Sequence, residues 1–124
     1  MNPKVVMGLR ILFGIFVLIF GLNKFLGFMP FPPIPGDGGT LMGIYATSGF
    51  LKIIGILEIL GGVALLLNKY VPLALTFMVA IVFNAFLFHA LHDPANLTGA
   101  IVGLVLGLIL VYANKGRFSS LLSE

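Results

Sequence analysis

The sequence predicts an all-α membrane protein, four helices crossing the bilayer with a short interfacial helix before the second crossing. Three observations carry this. Of 124 residues, 60% are hydrophobic and only 9% are charged, against about 25% charged in an ordinary soluble domain. The apolar residues gather into four runs, each near the roughly 20 residues a membrane helix needs. Lipid offers no hydrogen bonds to an unpaired backbone, so runs of this length must be helical. One membrane domain, residues 1–124, is expected.

The first span covers about 5–28. The second covers about 50–67, the third about 71–91 and the fourth about 97–114. Between the first two, the stretch 29–39 reads MPFPPIPGDGG. Its prolines and glycines predict an extended, polyproline-like loop. Thr40 would then cap a short interfacial helix over 41–47. Residues 68–72 and 92–96 read as tight turns, with Pro94 forcing the residue before it out of the helical region. Short turns make neighbouring helices antiparallel.

Charge sets the orientation. Lys4, Arg10, Lys69, Lys115 and Arg117 fall on one side, and Lys24, Lys52, Asp37 and Asp93 fall towards the other. The positive-inside rule places both termini in the cytoplasm, with Tyr70 and Tyr112 at the inner interface and Tyr45 at the outer one. The first apolar run is too long for a signal peptide and is interrupted by Arg10, so it reads as a retained span. The chain has no cysteine, which removes disulfide relays, thiolate catalysis and cysteine-ligated clusters. No basic cluster suggests nucleic acid as a partner. The expected surroundings are the lipid bilayer and a membrane partner or second copy.

Polar residues inside the spans need partners, because a charge at the bilayer centre costs at least about 2.5–3.5 kcal/mol. Glu58 lies about 15 Å from the inner end of the second span. It shares a stripe with Leu51, Gly55, Gly62 and Leu65, and such glycines admit a close neighbouring helix. Arg10, Gly14, Val17, Gly21 and Lys24 form a matching stripe on the first span. Two readings stand. In one, Arg10 reaches Glu58 as an ion pair, directly or through water, and Glu58 relays a proton. In the other, Arg10 snorkels to headgroups and Glu58 is a hydrogen-bonded packing residue. Lys24, Asn23, Asn84 and His89 reach similar heights in the outer half. An outward-facing pocket lined by Lys24, Asn84 and His89 and floored by Glu58 would suit a small anion or a quinone carbonyl. His92, Asp93 and Lys52 read as interfacial. His89 and His92 lack the further ligands a metal needs, so no metal and no covalently bound cofactor is expected. Gly99, Gly103 and Gly107 repeat at every fourth position, the small-residue spacing of helix packing.

The strings GLRILFGIFVLIFGLNKF, KIIGILEILGGVALLLNKYVPLAL and NAFLFHALHDP together resemble the DoxX-like membrane proteins. The ordered set Arg10, Asn23–Lys24, Glu58–Gly61–Gly62 and His89 carries the resemblance. It implies a four-helix bundle of the bacterial inner membrane, associated with quinone-linked oxidoreductases and acting as an accessory subunit, with Arg10, Lys24, Glu58 and His89 as site positions. A non-enzymatic scaffold or assembly factor is the competing function. A proton-coupled small transporter is a third, disfavoured by the clear charge bias.

Overall fold

The computed structural model describes residues 1–30 and 33–122, all without a strand among them. Six α-helices follow in order: α1 (Pro3–Leu26), α2 (Gly36–Thr47), α3 (Phe50–Leu66), α4 (Val71–His92), α5 (Leu97–Ala113) and α6 (Lys115–Leu122), with one 3-10 turn at Pro94–Asn96. The long helices agree with the four apolar runs to within about two residues, the usual fraying of helix ends.

Local chemistry explains the helix ends. The Asn2 side chain caps α1 by accepting from the Lys4 amide at 2.8 Å, and Pro3 occupies the first turn, where its missing N–H costs nothing. Gly27, at φ +61°, closes α1 in the left-handed conformation, and its N–H donates to the Asn23 carbonyl. Gly49, at φ +84°, separates α2 from α3, and the two helices are bent 74° apart.

Two expectations change here. The helix before the second span starts at Gly36, so the extended stretch is shorter than 29–39; its Phe31 and Pro32 lie outside the described residues. Thr40 is therefore inside α2, bonded to the Gly36 carbonyl, and is not its cap. Pro35 occupies the cap position without a side-chain bond, and Asp37 supplies negative charge to the first turn. The second change is α6, an amphipathic helix beyond the fourth apolar run, whose Phe118 packs against the core.

Helices α1, α3, α4 and α5 close a cycle: α1 packs on α3, α3 on α4, α4 on α5 and α5 back on α1. The buried core is Phe13 and Val17 from α1, Leu65 from α3, Val71, Ala74, Leu75, Met78 and Val82 from α4, and Leu110 from α5. It sits towards the end of the bundle where α1 starts and α5 ends. Small residues bring the helices close. A Cβ on Gly62 would stand 2.9 Å from both the Gly14 carbonyl and Leu18 Cβ, so α1 and α3 touch backbone to backbone.

The outer surface is apolar, with Ile53, Ile56, Leu60, Leu73 and Val105 all largely exposed, more than a water-facing monomer tolerates. Helix α1, helix α4 and the run Pro94–Ala113 are each long and apolar enough to cross a membrane. A fourth crossing is reached when α2 and α3 are taken together as one broken span. The chain is a multi-pass membrane protein.

Candidate functional site

The antiparallel register of α1 and α3 decides which charges meet. Gly14 faces Gly62 and Leu65, and Gly21 faces Gly55 and Glu58. One turn beyond Gly21, Lys24 Nζ stands 2.5 Å from Glu58 Oε1 and 3.4 Å from the Phe20 carbonyl. The side chains are 18% and 7% exposed, so this is an ion pair largely withdrawn from its surroundings. Glycine makes it reachable: a Cβ on Gly55 would lie 3.1 Å from Lys24 Cβ and from the Gly21 carbonyl. Two opposite charges in contact leave no net charge for the hydrocarbon to reject.

The expected Arg10–Glu58 pair is therefore corrected. Arg10 lies opposite the end of α3, and its Nη1 donates to the carbonyls of Leu65 and Leu66. These belong to the last turn of α3, whose carbonyls have no partner within the helix and carry its negative dipole end. Glu58 is about 11 Å further along α3. Arg10 neither snorkels freely nor reaches the carboxylate; it caps a neighbouring helix.

The remaining polar residues do not converge on one pocket. Asn23 is 5% exposed; its side chain accepts from the Met29 N–H at 2.7 Å and donates to the Met29 carbonyl at 3.1 Å. It clips the loop after α1, with both its nitrogen and its oxygen engaged by Met29. His89 Nδ1 lies 3.3 Å from Asp93 Oδ2, and Asn96 Nδ2 donates to the same oxygen at 2.9 Å. This cluster closes the turn between α4 and α5 around the buried Asp93. His92 abuts Gly38, where a Cβ would stand 2.8 Å from His92 Cβ, so it docks α2 on α4.

Asn84 departs furthest from expectation. The buried side of α4 carries Ala74, Leu75, Met78 and Val82, and Asn84 is two residues past Val82, about 200° around the helix. It is exposed, and among the described residues its amide makes one hydrogen bond, to the Ala80 carbonyl of its own helix at 2.9 Å. The fourth-position glycines of α5 divide likewise. Gly103 meets Phe16 and Val82, and Gly107 meets Val79 and Phe13, but a Cβ on Gly99 would meet nothing within 4 Å. Gly99 has no packing role among the described residues, because it lies on the exposed side of α5.

Two clefts stand out, both away from Lys24 and Glu58. An apolar one of about 250 Å³ runs between α3 and α4 past Gly61, Ala64, Ala74 and Met78. A mixed one of about 400 Å³ opens at the far end of the bundle among Arg10, Asn68, Asn114 and Arg117. Sequence reasoning missed this second cleft, because α6, which brings Arg117 to it, left no mark in the hydropathy. No protein-family model, no curated protein and no solved structure matches this chain.

Proposed function

We propose that this chain is a non-catalytic accessory subunit of a quinone-linked oxidoreductase. In this reading it is a DoxX-like four-helix transmembrane bundle of the bacterial inner membrane, with both termini in the cytoplasm. Its task is to hold a partner membrane protein against the outer face of α4. The observation that carries the reading is Asn84, an amide on the outward side of an apolar helix between the exposed Phe83 and Leu87. A partner helix offering a hydrogen-bonding side chain at that depth would satisfy it, for about 0.6–2 kcal/mol. The other polar groups support a scaffold over an outward-facing ligand pocket: Lys24 is committed to Glu58, Asn23 to Met29 and His89 to Asp93. The ordered residues that resemble DoxX-like proteins support the redox association, and the cations in the first turns of α1 and just after α3 and α5 support the orientation.

The test is a photo-crosslinking amino acid placed at position 84 in living cells, with the exposed Ile56 on α3 as the control. A crosslink from 84 alone to a membrane subunit of a quinone-linked oxidoreductase is expected, weakened at least about threefold by Asn84→Leu in mild-detergent copurification. Equal crosslinking from both positions, or crosslinks to lipid alone, contradicts the reading.

A second reading keeps a quinone or small anion as ligand. It draws on the partial exposure of Lys24, 18% of its side chain, through which a carbonyl or anion would replace Glu58 on the ammonium. Saturable ubiquinone binding lost in Lys24→Met but kept in Asn84→Leu would favour it.

A further inference from the structure

We infer that the cleft between the start of α1 and the junction of α5 with α6 binds a phosphate-ester anion, gripped by Arg10 and Arg117.

The argument starts from charge. Lys4, Arg10, Lys69, Lys115 and Arg117 all lie at this end of the bundle. Of the four acids in the chain, Glu58 is bound to Lys24, Asp93 is held by His89 and Asn96, Asp37 lies in α2, and Glu124 is outside the described residues. Among the described residues none of these five cations has an acidic partner. Lys115 rests on the Tyr112 ring at 4.7 Å. A patch of one sign beside a low-dielectric wall concentrates counter-ions.

Geometry then selects the chemistry. Arg10 is fixed in place by Nη1, which bonds two carbonyls of α3; its Nε and Nη2 make no hydrogen bond among the described residues. Arg117 side-chain nitrogens make none either, while its backbone N–H holds it to Asn114 at 2.8 Å. Both line the same cleft, together with the amides of Asn68 and Asn114. Two guanidinium forks facing one space, one of them pre-positioned, match the several oxygens of a phosphate better than a single carboxylate. A volume of about 400 Å³ is within the ordinary range of small-ligand sites.

The rest of the lining carries apolar side chains, from Met1, Pro3, Val6, Met7 and Ala113, and Met7 is half exposed on the outer surface of α1. A phosphate bearing a hydrocarbon tail would set its anion on the arginines and run its tail along Met7. The same anion chemistry is offered by inorganic phosphate, so the experiment separates the two sources.

Purified full-length chain in neutral detergent is titrated with dihexanoyl phosphatidylglycerol, dihexanoyl phosphatidylcholine or inorganic phosphate, with binding read by native mass spectrometry and by the shift of the thermal midpoint. Binding of phosphatidylglycerol over phosphatidylcholine is expected, weakened roughly tenfold in Arg117→Ala and further in Arg117→Glu. Arg117 is exposed, so these variants keep the fold. Inorganic phosphate binding with the same dependence on Arg117 upholds the anion site and makes its source soluble; response to phosphatidylglycerol alone makes it a lipid headgroup. Equal response to both lipids, no response to any of the three, or unchanged binding in Arg117→Ala overturns the inference.

Discussion

Replacing Gly21 by alanine should loosen the α1–α3 contact, and the structure fixes both sign and size. The new Cβ would stand 2.9 Å from Glu58 Cβ and from the Gly55 carbonyl, and 3.0 Å from the Ile59 nitrogen. Ordinary carbon contacts lie near 3.5–4.0 Å, so α1 must move outward by about half an ångström or more. Two of the three obstructing atoms are backbone and cannot rotate away. Overpacking of this kind costs about 1–3 kcal/mol, and the unyielding neighbours put Gly21→Ala at the upper end. Alanine's better helix propensity returns about 0.8–1 kcal/mol. A net loss of about 2 kcal/mol is expected. Gly99→Ala is the control, because its Cβ enters open space; it keeps only the propensity gain and should stabilise by up to about 1 kcal/mol. Reversible SDS unfolding followed by helical circular dichroism measures both. The reasoning is refuted if Gly21→Ala is as stable as the parent, or if Gly99→Ala loses as much as Gly21→Ala.

Asn23→Ala should cost about 1–3 kcal/mol through the two bonds lost to Met29 and release the loop after α1, seen as faster amide exchange at Met29; unaltered exchange there would remove the clip from the account. Arg10→Met should cost about 1.5–3 kcal/mol by freeing the Leu66 carbonyl and leaving that of Leu65 with its backbone bond from the Asn68 N–H, with fraying confined to the last turn of α3; fraying spread evenly along α3 would contradict the capping role.

The four long helices were legible because span length and backbone satisfaction in lipid leave one solution for runs such as 5–28 and 71–91. Helix α2 was not legible over Gly36–Gly39, since a glycine run reads as loop. It is helical there because Gly38 lets the chain lie against His92, a tertiary contact that overrides propensity. Helix α6 is short and amphipathic, with two cations and two serines, so no apolar run announces it. The residues near the ion pair were found, but their pairing was misjudged. Depth counted from the inner ends put Arg10 about 7 Å short of Glu58, within reach of its long side chain, whereas the register is set by glycines meeting across α1 and α3, and that offset shifts Arg10 to Leu65 and Glu58 to Lys24. Asn84 shows a different limit: α4 is apolar all round, so its sequence does not tell which side is buried.

The claim on which the rest depends is that Lys24 and Glu58 are one unit, closed within the bundle. A double-mutant cycle of Lys24→Met and Glu58→Leu, measured by reversible unfolding in lipid–detergent bicelles, tests it directly. With side chains only 18% and 7% exposed, each single change strands a buried charge at a cost of about 3 kcal/mol, and the double change should return near the parent stability. The parallel cycle of Arg10→Met with Glu58→Leu should be additive within about 0.5 kcal/mol. Additivity between Lys24 and Glu58, or strong coupling of Glu58 to Arg10 in its place, would contradict the account.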